Sequence, residues 1–102
     1  MKIEFIIFNI DKEIINKSIE HYGKEKQSIT CMEECSELIQ CISKELRGKT
    51  DIVHLTEEMA DVLICIKMLQ QIYSIDTSEL ESWIQAKQQR IKDRMESDTE
   101  ND

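Results

Sequence analysis

Six carboxylates occupy two ten-residue stretches of this chain, EECSELIQCI at residues 33–42 and EEMADVLICI at residues 57–66, in which acids and aliphatic residues recur almost position for position. Glu33 aligns with Glu57, Glu34 with Glu58, Glu37 with Asp61, Cys41 with Cys65 and Ile42 with Ile66. Acids three and four apart on a helix repel by about 0.2–0.5 kcal/mol per pair in water, and by more as solvent is withdrawn. Their recurrence in an apolar context points to a compensating positive charge.

At about 100° per residue, Leu38, Ile39, Ile42 and Leu46 define a buried stripe on the first of these helices, with Glu34 at its edge and Glu37 about 60° further round. Val62, Leu63, Ile66 and Leu69 place Glu58 and Asp61 in the same relation on the second. Antiparallel packing of the two would bring four acids together across the seam, where they cannot all stay ionised without a counter-charge. Oxygen-only ligation open to solvent suits Mg²⁺, with Mn²⁺ the other option, since both are hard ions that also bind phosphates. A di-iron centre in a bundle ordinarily uses E-x-x-H, whereas the i+3 partners here are Glu37 and Asp61.

The elements that must position these acids are helices. The chain has 102 residues, 5% aromatic, with two glycines and no proline, a composition that favours long helices and short turns over a sheet. A first helix is expected from about Asp11 to Tyr22, stopped by Gly23; a second from about Ser28, or a turn earlier, to Arg47, with Thr30 and Glu33 at capping-box spacing; a third from Thr50 or Asp51 to about Ser74; and a fourth opened by Asp76 and Glu79. The third, apolar over more than half its surface, should be the most buried. The predicted fold is all-α, an antiparallel bundle of about four helices completed by oligomerisation, because one domain of this size buries only about 60–70% of its unfolded surface. Residues 1–10 are expected to form an N-terminal arm, residues 11–95 the helical domain and residues 96–102 a disordered acidic tail.

A formal charge of −8 argues against binding nucleic-acid polymers or anionic membranes and suits a protein that gathers cations. Cys31, Cys35, Cys41 and Cys65 lack paired CxxC spacing and are expected to be reduced core thiols of a cytoplasmic protein. The opening apolar run is interrupted by Glu4 and is too short to span a bilayer or serve as an ordinary secretory segment.

E-E-x-x-E at Glu33, Glu34 and Glu37, followed by E-x-x-D at Glu58 and Asp61, resembles the signature of the MazG-like all-α nucleoside triphosphate pyrophosphohydrolases, and the likeness extends over about residues 20–95. The resemblance implies Mg²⁺-dependent hydrolysis of a (deoxy)nucleoside triphosphate to the monophosphate and pyrophosphate by a homodimer or homotetramer. It implies Glu34, Glu37, Glu58 and Asp61 as metal ligands, with Glu33 orienting ligands or a water. This sequence holds one copy of the domain, so a second subunit is expected to complete the core and the pocket.

Lys87, Arg90 and Arg94 lie on one face of the fourth helix. They are similar to the family's basic residues on its closing helix, where Lys87 and Arg90 would hold phosphate oxygens. Tyr22 is placed to stack on a base or simply to pack; His54, one turn before Glu58, is placed to hydrogen-bond a carboxylate or simply to be exposed at the first turn; Trp83 suits a core or an interface ahead of base recognition. Met32, Met59 and Met68 fall on or beside apolar stripes, as gap-filling core. The leading expectation is a cytoplasmic nucleotide pyrophosphohydrolase. The alternative is a non-catalytic oligomerisation or regulatory module that retains a metal or nucleotide site.

Overall fold

A computed structural model describes residues 8–100. Four helices follow in order, α1 (Lys12–Tyr22), α2 (Lys24–Leu46), α3 (Ile52–Tyr73) and α4 (Thr77–Glu100), with no strand among the described residues. The all-α helical architecture is the one expected from composition and periodicity. None of the helices is long and apolar enough to cross a membrane. Residues 1–7 of the expected arm lie outside the described residues, while Ile10 packs against the core.

Local chemistry sets each boundary. Asp11 caps α1, its carboxylate accepting hydrogen bonds from the Glu13 and Ile14 amides at 2.9 and 3.4 Å. Gly23 alone joins α1 to α2, at φ 92° and ψ 155°, and its amide donates to the Ile19 carbonyl at 2.8 Å. That tight reversal starts α2 at Lys24, the earlier of the two expected starts, because the good helix formers Lys24 to Gln27 offer no reason to delay. Thr30 is therefore inside the helix, its hydroxyl donating to the Lys26 carbonyl at 3.1 Å, and it does not cap with Glu33.

Asp51 caps α3 by accepting from the His54 amide at 3.0 Å, while its own amide donates to Glu45 Oε2 at 2.6 Å. Ser74 ends α3 in the left-handed region at φ 53°. Gln70 Nε2 ties the turn into α4 by donating to the Ile75 carbonyl at 3.4 Å and the Thr77 hydroxyl at 3.2 Å.

α2 and α3 pack antiparallel, as three cross-contacts along their length record: Ser28 with Tyr73 at 3.1 Å, Cys31 Sγ with the Cys65 carbonyl at 3.8 Å, and Cys41 Sγ with His54 Nδ1 at 3.6 Å. α1 lies against both. The buried core is Ile15, Cys31, Cys65, Met68 and Ile72, with Ile10, Ile19 and Leu69 packed on it. α3 contributes most of the buried residues, as its apolar surface leads one to expect.

The seam is not where the aliphatic pattern put it. On α2 the buried residues are Gln27, Cys31 and Cys41, with Glu34 and Leu38 half-buried, while Ile39 is 67% and Leu46 84% exposed. The apolar band on α2 is wider than one partner helix can cover. α3 takes the flank carrying the small cysteine side chains, which permit close approach, and the Ile39–Leu46 flank is left outward. Ile66, expected on the α3 stripe, is likewise exposed, as are Met32 and Met59; of the three methionines read as core only Met68 is buried. Cys35 is the one exposed cysteine of the four, and all four are free.

α4 departs most from expectation. Trp83, Ile84 and Ile91 are exposed, and among the described residues α4 has no extended interface with α1, α2 or α3. The radius of gyration is accordingly 17.0 Å, against about 13 Å for a compact domain of this length. α4 also continues through Glu96 to Glu100, where a disordered tail was expected. The sequence there contains neither Gly nor Pro to stop it, and the Thr99 hydroxyl donates to the Met95 carbonyl at 2.9 Å.

Gly23 occupies a backbone region that is essentially restricted to glycine, although a Cβ there would meet nothing within 4 Å. Gly23→Ala should therefore destabilise the chain by about 1–3 kcal/mol through backbone strain alone. A lowered urea midpoint with an unchanged slope is the expected result; an unchanged midpoint would contradict it.

Candidate metal centre

The antiparallel pairing of α2 and α3 brings the two acidic stretches face to face. A carboxylate oxygen from each of Glu34, Glu37 and Glu58 lies within 4.8 Å of the other two. Glu58 sits in the buried face of α3, only 4% exposed, Glu34 is half-buried opposite it, and Glu37 stands on the solvent side. Asp61, one turn after Glu58, is half-buried and close enough to act on Glu34 electrostatically, though it is outside the tight group of three. Glu33 is exposed and also outside that group.

Removal from water pushes the Glu34 carboxyl up to about 7, helped by the negative charge of Asp61, a hydrogen-bonding contact with Glu58, and the charges of Glu37 and Glu58. Glu34 Oε2 and Glu58 Oε2 are both buried, and among the described residues no N–H or O–H of a third side chain or of the backbone reaches either, so the proton that Glu34 retains is what links the pair. A buried carboxylate oxygen left unpaired costs free energy that a hydrogen bond or a bound cation would offset. Two ligands about 2.1 Å from one small divalent ion stand at most about 4.2 Å apart, so these oxygens converge to nearly the span of one ion's ligand shell. The all-oxygen donor set fits a hard ion.

His54 occupies the next turn. Its Nε2 lies 3.4 Å from Glu58 Oε1, the carboxylate contact that its position one turn before Glu58 allowed, and its Nδ1 faces Cys41 Sγ. A His54 ring nitrogen also lies within 4.8 Å of carboxylate oxygens of both Glu57 and Glu58. Glu57 was legible only as the counterpart of Glu33 in the repeated stretch, and the H-x-x-E-E spacing of residues 54–58 is the signal that marks it. Burial raises the Cys41 thiol, with Glu58 adding to the effect; it raises Cys31 as well, and takes Cys65 up to about 12. These thiols are protonated packing groups, not nucleophiles.

Lys87 and Arg90 do not join the acids. They line a surface cleft with Ile91, Asp93 and Arg94, all on α4, and Lys87 Nζ lies 5.8 Å from the centre of the Trp83 ring. Tyr22 is exposed, edge-on to His21 with ring centres 4.6 Å apart, and Lys26 lies over its face.

The chain matches the MazG nucleotide pyrophosphohydrolase domain over residues 24–95, from the start of α2 to near the end of α4, and it belongs to that family. Comparison with curated proteins and with solved structures finds no significant match.

The elevated Glu34 carboxyl sets a pH dependence for the metal-free protein. Between the ordinary carboxyl value of 4.5 and about 7 the folded chain holds a proton that the unfolded chain has released. Its stabilising contribution is fully present below the unfolded value and is lost as pH rises through about 7. In chelator-treated protein the urea midpoint should fall across this window, and Glu34→Gln should flatten the fall. A slope identical in the variant would contradict the assignment.

Proposed function

We propose that the chain is a metal-dependent nucleoside triphosphate pyrophosphohydrolase, a hydrolase acting on phosphoric anhydrides that converts a (d)NTP to the (d)NMP and pyrophosphate. The observation that carries this reading is the pair of buried oxygens that no third group reaches, Glu34 Oε2 and Glu58 Oε2, meeting Glu37 at a seam inside a MazG domain. Glu34, Glu37, Glu58 and Asp61 would hold Mg²⁺, or Mn²⁺ in its place. When bound, the ion neutralises triphosphate charge and makes water at the site more acidic.

The side chains then have distinct tasks. Glu58, fixed in the buried face of α3, sets the position of the centre, and Glu34 meets it from α2. Glu37, on the solvent side, leaves an approach for the triphosphate. Glu33 orients an attacking water from the outer edge. The water oxygen would bond to a phosphorus of the α–β anhydride and give up a proton to solvent as that anhydride breaks and pyrophosphate departs, while Lys87 and Arg90 would hold phosphate oxygens.

Those two cations are on a helix that, among the described residues, meets the rest of the chain chiefly at its first turn, and a second subunit would supply the missing contact. Met32, Ile39 and Leu46 fall within about 40° of one another on the exposed side of α2, and α4 offers Trp83, Ile84 and Ile91. Association of two or four copies covers these surfaces and brings α4 toward an acidic seam. The charge of −8 suits a nucleotide–metal complex better than a nucleic-acid polymer or a membrane, and four free cysteines suit the reducing cytoplasm.

Glu37→Gln and Asp61→Asn should each abolish pyrophosphate release from a panel of (d)NTPs without changing helix content. Full activity in either variant would overturn the ligand assignment. Folded, metal-binding protein that turns over nothing in the panel would favour the non-catalytic regulatory module instead. Light scattering should give a dimer or tetramer of the 12.0 kDa chain, and a monomer alone would refute the shared pocket.

A further inference from the structure

We propose that the apolar groove between the start of α1 and the middle of α3 is a docking site for the chain's own residues 1–7. The groove has a volume of about 270 Å³ and is lined by Asn9, Ile10, Asp11, Ile14, Ile15 and Ile64. Ile15 is buried there, whereas Ile14 is 64% and Ile64 40% exposed. Asp11, the one charged group of the lining, has its carboxylate engaged by the Glu13 and Ile14 amides. Ile14 and Ile64 together make an exposed apolar patch of the kind that a partner segment covers. The volume falls just below the about 300–1,000 Å³ of small-molecule pockets, and the walls present isoleucines rather than converging polar groups, so the side chains of a peptide segment fit better than a ligand.

The sequence of the segment, MKIEFII, matches such a groove. Its odd positions are Met1, Ile3, Phe5 and Ile7, and its charges, Lys2 and Glu4, are both at even positions. An extended backbone would set the four apolar side chains on one side and the two charges on the other, toward water. Connectivity favours the same occupant. Ile7 is two residues from Asn9 in the groove wall, so the segment meets the groove at the about millimolar effective concentration of a short tether, which a second copy would have to match. The chain also turns at this point: the Ile10 amide donates to the Phe8 carbonyl at 3.0 Å, a three-residue turn at Asn9 that can lay the preceding segment back across Ile14 and Ile64. Ile64 stands one turn after Asp61 on the same side of α3. On the metal-centre reading the docked segment would border the Asp61 side of the seam; docking itself is independent of that reading.

Nuclear Overhauser contacts in the full chain should join the Phe5 ring to the Ile14 and Ile64 methyl groups, and a mixture of differently labelled copies should show them within one chain. Chymotrypsin gives a second readout, because cleavage after Phe5 follows the undocked population when docking is fast relative to cleavage. Ile14→Asp, at an exposed position of α1, and Ile3→Ser, in the segment, should each speed that cleavage by at least about tenfold, the scale that burial of one isoleucine side chain supports. Ile3→Ser leaves the groove intact, so faster cleavage there does not arise from a damaged helix. Absence of the contacts in the native chain, or equal cleavage rates in the native chain and both variants, would overturn the proposal. Contacts found only between copies would overturn it as well, by giving the groove to a second chain's segment. Contacts within one chain, in protein that releases no pyrophosphate, would sustain the docking while refuting the hydrolase reading.

Discussion

The structure turns on the burial of Glu58 in the face of α3 that packs against α2. A carboxylate at 4% exposure, with one oxygen that no donor but the Glu34 carboxyl reaches among the described residues, is a local cost that the surrounding helices must overcome. They do so with small groups that allow α2 and α3 to approach: Cys31 on one side, Cys65 on the other, their thiols protonated and packed. The Asp51 cap fixes where α3 begins and hence which side of it meets α2. Proton uptake by Glu34 is the means by which the metal-free seam tolerates its charge, and displacement of that proton is what cation binding requires.

The same packing explains why so much apolar surface is left outward. Among the described residues Ile15, Cys31, Cys65, Met68 and Ile72 form the buried cluster, and two of the five are cysteines. The larger aliphatic side chains of α2, Ile39 and Leu46 among them, stand on a flank turned away from α3. α4 carries the basic residues and Trp83 but, among the described residues, has no extended interface with the other helices. Acids, aliphatic flank and basic helix are thus three separate surfaces of one chain, and the proposed oligomer would bring them into register.

Helix number and order were legible in the sequence because Gly23, Gly48 and the acidic caps punctuate long runs of good helix formers. The convergence of Glu34, Glu37 and Glu58 was legible too, from the repeated spacing of acids on two neighbouring helices. Rotation about the helix axis was not. Hydrophobic periodicity weighted Ile39 and Leu46 above Cys31 and Cys41, whereas packing rewards side chains that let two backbones come close. The course of α4 was equally unreadable, since an amphipathic pattern states that a face will be covered and not by which chain. His54 could be placed near Glu58 from its spacing, but its contact with Cys41 on another helix depends on register that only the packed pair defines.

A divalent cation would relieve the electrostatic liability of the buried seam. The most direct test is the urea midpoint of the native chain and of Glu58→Gln at neutral pH, each with and without Mg²⁺. The metal-free variant should be the more stable of the two, because a buried carboxylate is gone, and Mg²⁺ should raise the native midpoint saturably while leaving the variant unmoved. A rise of equal size in both proteins, or none in either, would contradict it.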